Sequence, residues 1–183
     1  MQKDRIRWNQ KYLKKEYPIE VSTVVARFFE LAPKGRALDI AAGNGRNALF
    51  LARQGFKVDA VDISDVGLKE FSGRHPHVHP VCADLDLFRI PKERYHLIIN
   101  INFLDRRLVP AICEGLIRGG VLIFETLRMG SQKEAGPYNK DHLLRENELL
   151  RLFLSLKILF YEETERTRKN HRDCMASLVA QKL

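Results

Sequence analysis

The chemistry of this 183-residue chain concentrates in one stretch, Leu38-Asp39-Ile40-Ala41-Ala42-Gly43-Asn44-Gly45-Arg46-Asn47-Ala48. An apolar run ends there in a glycine-rich loop, and a helical pattern opens directly after it. Glycine lets backbone approach a ligand closely. The start of the following helix offers unpaired N–H groups and partial positive charge. Taken alone, Gly43-x-Gly45-x-x-Ala48 also fits a dinucleotide fingerprint. Two acids separate the readings. Asp39 stands four residues before Gly43, where a carboxylate repels a pyrophosphate but suits the ammonium group of an amino acid. Asp62, in Val61-Asp62-Ile63 at the next strand end, can accept both hydroxyl hydrogens of a ribose. A carboxylate at each of two adjacent strand ends, with glycine between, describes a site for a nucleoside bearing an amino-acid tail. The plainer alternatives are a turn or capping carboxylate at 39 and an N-cap at 62, a role that Ser64 can fill instead.

Such a site needs strands that end together. Residues 37–40, 57–63, 78–83, 95–101 and 121–125 read as short buried strands. Between them, 47–54, 64–74 and 104–117 read as helices, with Gly55 as a stop and Pro110 tolerable only in a first turn or at a kink. Strands alternating with helices through short loops indicate a parallel α/β sheet covered on both faces. The last third differs. Residues 126–141 read as a loop, 146–154 as a helix, and 157–163 and 174–181 as strands with no helix between. Those two strands pair antiparallel through a short charged link, 164–173. Ahead of the sheet lies a basic lead and a helix from Ser22 or Thr23, its apolar side formed by Val24, Val25, Phe28, Phe29 and Leu31.

Composition bounds the rest. The length suits one domain, and 45% hydrophobic and 30% charged residues suit a globular one rather than a disordered chain. No apolar run reaches membrane-spanning length, and the charged start leads into no secretion-signal core. Three cysteines, Cys82, Cys113 and Cys174, form no CxxC pair, which points to a reducing, cytoplasmic setting. The net charge of +8 reads as a dispersed, solubilising one. His75, His77 and His79 alternate, but two prolines and no adjacent carboxylate or cysteine argue against a metal site.

With these residues quoted, the sequence resembles the class I S-adenosylmethionine-dependent methyltransferases over nearly its whole length. Residues 39–47 match the first motif, with Ala42 where glycine or cysteine is more usual. Asp62 matches the ribose-binding acid, and Cys82-Ala83-Asp84-Leu85 the third-strand motif. Residues 97–102 match the fourth strand, and Arg118-Gly119-Gly120-Val121-Leu122 the turn into the fifth. Within that class the chain is similar to the tellurite-resistance branch and its bacterial relatives. Arg7-Trp8-Asn9-Gln10-Lys11-Tyr12, Gly43-Asn44-Gly45-Arg46-Asn47 and Asn102-Phe103-Leu104-Asp105-Arg106 carry that likeness.

The resemblance implies a Rossmann-like α/β methyltransferase sandwich: a mostly parallel seven-stranded sheet ending in an antiparallel C-terminal hairpin, with helices on both faces. It implies one domain, with 1–34 as helical lead and lid, 35–125 as cofactor-binding core and 126–183 as acceptor side. It implies S-adenosylmethionine as cofactor, held by Asp39, Ala41, Gly43, Gly45, Arg46 and Asn47, by Asp62 and Ile63, by Asp84 facing the adenine amino group, and by the Leu85 backbone. Trp8 and Tyr12, four apart on one helical face, would fold over the methionine end; core packing is their alternative, and turn chemistry that of Asp84. Polar residues at strand ends face the cleft, whereas mid-strand they would be buried at a cost. Asn100 on that ground touches the cofactor. Asn102, Glu125, Gln132 and Asn139 line the acceptor site, and Arg145 suits an anionic acceptor; hydrogen bonds that tie loops down are the alternative for each.

The implied reaction is in-line displacement at a methyl group on sulfonium, with a small-molecule acceptor and no metal. A general base is required only for an acceptor protonated at working pH. Asn100-Ile101-Asn102-Phe103 departs from the Asn-Pro-Pro-aromatic pattern of amino-directed nucleic-acid methyltransferases. The competing readings are a non-catalytic cofactor-binding module, an RNA methyltransferase, and, least favoured, a nicotinamide-dependent oxidoreductase, for which a Tyr-x-x-x-Lys pair is missing.

Overall fold

The computed structural model describes residues 2–15, 17–130, 140–168 and 171–183. Seven strands form one sheet: β1 (Arg36–Ile40), β2 (Lys57–Asp62), β3 (Val78–Cys82), β4 (Tyr95–Ile101), β5 (Leu116–Leu127), β6 (Lys157–Arg168) and β7 (His171–Gln181). Their spatial order is β3-β2-β1-β4-β5-β7-β6. The first five run parallel, and β7 is antiparallel to both β5 and β6. The chain leaves β1 to one side for β2 and β3, then returns to β4 on the other. That reversal makes the β1/β4 boundary the switch point, where ligands bind in open α/β sheets.

The central strands are apolar because helices cover both sides of them. Alternation along β1 sends Ala37 to one core and Leu38 and Ile40 to the other. The first core takes Val24, Val25 and Phe29 from the segment around α2 (Thr23–Phe28), and Ala48, Leu51 and Ala52 from α3 (Arg46–Arg53). The second takes Ile112 from α5 (Val109–Gly115) and Leu149 from α6 (Glu148–Leu152). Two further helices, α1 (Gln2–Leu13) and α4 (Asp65–Lys69), lie together at the carboxyl end of the sheet. Pro80 sits inside β3, an edge strand, where its missing N–H breaks no ladder between two neighbours.

Several boundaries differ from the sequence reading, each for a local reason. Residues 104–117 form a 3₁₀ turn and then α5, with Pro110 in the first turn of the helix. β5 starts at Leu116, because Leu116 pairs with Tyr95 before the register shifts; Gly119 and Gly120 lie inside that strand instead of ending a helix. α4 stops at Lys69, and 70–74 form turns. The charged segment expected as a link, 164–173, belongs mostly to the hairpin: pairing continues from Thr164↔Met175 to Arg168↔His171. No described helix is long and apolar enough to cross a membrane.

Candidate functional site

Asp39 is the penultimate residue of β1 and Asp62 the last of β2, on hydrogen-bonded neighbours. Both are buried. Asp62 Oδ2 accepts the Gly43 N–H at 2.8 Å, and its Oδ1 accepts the Ser64 N–H at 2.7 Å. One carboxylate thus staples the loop after β1 to the loop after β2. Burial raises its pKa, and these N–H groups oppose the shift. Asp39 is less well served: its Oδ2 is buried without a hydrogen-bond partner. Burial pushes its carboxyl up to about 8, against the pull of the Arg46 guanidinium, with the nearby Asp62 carboxylate adding to the rise.

Asn100, near the end of β4, has both side-chain polar atoms buried and unpartnered. Asp39 pairs with Ile99 and Ile40 with Asn100, so the two side chains leave opposite faces of the sheet at the switch point. A buried polar atom left unsatisfied costs about 1–3 kcal/mol. Two residues bearing that cost on adjacent strand ends make this a place where a polar ligand could compensate it.

The loop between them is built for close approach. Ala41, Gly43 and Gly45 all have positive φ, and a Cβ on Gly43 would collide with the Tyr12 hydroxyl. Tyr12, from α1, is buried between Gly43 and Gly67; a Cβ on Gly67 would come within 3.0 Å of its ring and 2.8 Å of the Gly43 carbonyl oxygen. Burial, then the Asp62 and Asp39 carboxylates, raise its pKa, so the phenol stays neutral. Its ring packs 5.2 Å from Tyr17 and 6.4 Å from Trp8, and Lys11 lies 4.6 Å over Trp8. Polar contacts anchor this helix: Asn9 donates to Asp65 at 3.0 Å, Ser64 donates to Asn9 at 2.6 Å, and Arg5 pairs with Asp65 at 3.2 Å. Ser64 also caps α4 by accepting the Gly67 N–H.

The other residues singled out in the sequence divide between the two readings offered for them. Arg46 donates to the Glu20 carbonyl at 2.5 Å, and Asn47 accepts the Ser22 N–H at 2.9 Å, so both fasten segment 18–22 above the loop. Ile63 follows Asp62, half-buried. Asp84 accepts the Asp86 N–H at 3.0 Å and organises a turn, with Leu85 buried beside it. Asn102 is exposed, with positive φ, and its N–H donates to the Glu125 carbonyl at 2.7 Å. The Glu125 side chain is buried on the same face as Asp39 and accepts the Ser177 hydroxyl at 2.7 Å. Arg145 is exposed, and its N–H donates to Glu148. Gln132 and Asn139 lie outside the described residues. His75 accepts the His77 N–H, and among the described residues no three His, Cys, Asp or Glu converge on a metal position.

Sequence reasoning missed Asn9, Gly67 and Ser177, each of which acts through a partner far along the chain. It also missed a half-buried cluster past Glu125. Arg128 lies 3.3 Å from Glu163, with its Nε–H misaligned for a hydrogen bond. Glu163 accepts the Tyr161 hydroxyl at 2.5 Å and the Asn147 N–H at 2.7 Å. A charged residue at the end of an apolar strand was its one available signal.

Residues 37–118 match a family model described as a methyltransferase domain. No curated protein matches the chain in sequence. Among solved structures, TehB from Haemophilus influenzae is 20% identical with a TM-score of 0.74, over 96% of this chain and 67% of that one. The [4+2]-cyclase SpnF is 19% identical with a TM-score of 0.69, over 87% and 78%. Geranyl diphosphate C-methyltransferase from Streptomyces coelicolor A3(2), solved with S-adenosyl-L-homocysteine, is 12% identical with a TM-score of 0.67, over 87% and 79%. At these identities the likeness is one of fold, and the cyclase shows that this fold serves more than one reaction. Residues 37–118, a little under half of the chain, thus match a methyltransferase domain, and the chain as a whole shares the fold of these solved structures.

Proposed function

We propose that the protein transfers a methyl group from S-adenosylmethionine to a small-molecule acceptor by in-line displacement. The observation that carries this is the pair of unsatisfied buried side chains, Asp39 and Asn100, at the β1/β4 switch point. They fit the cofactor's polar end, and the positive-φ loop between Asp39 and Asp62 fits its close approach. When bound, the cofactor supplies a methyl group activated on sulfonium. The chain's own residues do the rest. Asp39 takes the ammonium group, and Asn100 offers both a donor and an acceptor. Asp62 keeps spare lone pairs for ribose hydroxyls while holding Gly43 and Ser64. Asp84 and Leu85 frame the adenine, and Tyr12 and Trp8 cover the site and exclude water.

The acceptor side is formed by Asn102, Glu125 and Arg145, with Gln132 and Asn139 as further candidates from the adjoining segment. Ser177 donates to Glu125 and so orients a carboxylate that, on this reading, takes a hydrogen from an incoming nucleophile. Such a group serves an acceptor that is protonated before attack. Residues 1–34 act as lead and lid of a single domain that spans the chain. Free Cys82, Cys113 and Cys174 support a cytoplasmic setting.

The test is a transfer screen with cofactor labelled in the methyl group, over thiols, amines, hydroxylated acids and chalcogen oxyanions. Label must appear in a small-molecule product. Glu125→Gln is expected to lower kcat about 100-fold on the acceptor found, with cofactor affinity unchanged. Ser177→Ala is expected to lower it about 10-fold, with Ser177→Thr restoring most of the rate, a rescue that a packing role would not give. An unchanged kcat in Glu125→Gln removes the carboxylate from the acceptor site.

A further inference from the structure

The charge of +8 is segregated by the fold. Segments 33–36, 53–59, 73–79, 89–96, 114–120 and 155–157 enter the sheet from the end opposite the cleft, and 181–183 leave β7 there. Together they hold eleven Lys and Arg against three Asp and Glu. Their surplus of eight equals that of the whole chain; the remainder balances at twenty of each sign. The three acids are engaged within the same end: Asp59 by Arg36 at 3.1 Å, Glu114 by Lys92 at 3.1 Å, and Glu93 by Lys182 at 3.9 Å.

Topology arranges six of these cations as a line, Arg36 and Lys182 among them already paired with Asp59 and Glu93. In sheet order, β2, β1, β4, β5, β7 and β6 carry Lys57, Arg36, Arg94, Arg118, Lys182 and Lys157 at or beside this end, one cation per strand. Neighbouring strands lie about 4.8 Å apart, so the row runs about 24 Å. Beside its β2–β3 end is a hollow of about 240 Å³ lined by Arg36, Lys57, His77 and His79 among others. Among the described residues of these segments, Leu183 at the β7 end is the one exposed large hydrophobic side chain, and none lies beside the hollow. A protein partner would need apolar anchors there, and a planar bilayer does not follow a hollow. A linear polyanion fits both the row and the hollow.

We propose that this end of the sheet is a docking track for the phosphate backbone of a nucleic-acid strand, read by charge and not by base. It is separate from the cleft, so the strand is a tether for the protein and not its methyl acceptor.

The test is fluorescence anisotropy with a labelled 20-nucleotide single-stranded RNA and the same sequence as DNA. Both are expected to bind, with log Kd rising against log[salt] at a slope of about 3.5, as about five phosphate contacts require. Lys57→Glu with Arg118→Glu is expected to weaken binding at least 10-fold, and the milder Lys57→Gln with Arg118→Gln to lower the slope by about 1.4. Melting temperature and cofactor affinity stay unchanged in both. Saturating S-adenosylhomocysteine leaves the anisotropy unchanged. No binding at 50 mM salt, binding untouched by the substitutions, displacement by S-adenosylhomocysteine, or binding only to anionic lipid vesicles would each overturn the proposal.

Discussion

Asp39→Asn is expected to weaken S-adenosylmethionine binding at least 100-fold and, in the same protein, to raise the melting temperature at pH 8 by several degrees. Both effects come from one buried carboxyl. In the ligand-free protein, burial holds it up at about 8, against about 3.9 in an unfolded chain. Between those values the native state binds more protons than the unfolded one, so stability falls as pH rises through this window. An amide carries no such penalty, and the gain of the variant is therefore largest at pH 8 and vanishes near pH 4. An ammonium group beside Asp39 reverses the preference and restores the anion. Binding at pH 7 is then expected to release close to one proton, and affinity to increase from pH 6 to about 8, until the ligand's own amine deprotonates. Calorimetry in two buffers of different ionisation enthalpy measures the proton directly. A variant that binds as tightly as the parent, or a parent that releases no proton, removes Asp39 from the cofactor site.

How far the fold could be read depends on what each segment buries. β1, β2 and β4 are covered on both faces, so their apolar runs stand out even at five to seven residues. β6 and β7 are each divided into a mostly apolar part, 158–161 and 174–180, and a polar, charged end, and those ends pair only with each other, which makes 164–173 look like a link. Residues 70–74 continue an apolar spacing, with Phe71 in the core, but as turns and not as helix. Periodicity reports which side chains are buried; it does not report whether the backbone between them is wound.

The same distinction governs the site. Asp39 and Asp62 were legible because local grammar marks them: acid, strand end, glycine. What those acids touch was not. Asp62 holds two backbone N–H groups of two separate loops, a role that follows from loop geometry alone. Asn9 meets Ser64 across 55 residues, and Glu125 meets Ser177 across 52, so no spacing within a segment announces either pair. The charge told a third version of this. Spread along the chain it looks dispersed, and only the strand order gathers it at one end.

Gly43→Ala is expected to destabilise the protein by about 2–4 kcal/mol, and most of that loss is expected to disappear when Tyr12 is removed as well. Two separate effects meet at this residue. A left-handed φ of 59° costs a non-glycine residue about 1–2 kcal/mol wherever it occurs. The collision of the new methyl with the Tyr12 hydroxyl is specific to the closed position of α1, and relieving it means lifting Tyr12 out of the slot it shares with Gly67. Tyr12→Ala alone loses the packing of a buried aromatic ring, about 3–5 kcal/mol when no neighbour collapses to fill it. If both losses describe one contact, the double variant is less destabilised than the sum of the singles by at least 1 kcal/mol, a coupling that distant independent sites do not show. Chemical denaturation of the four proteins gives this number. Strict additivity would mean that α1 does not rest on the glycine loop in solution, and the cover over the proposed cofactor site would then have to come from another part of the chain.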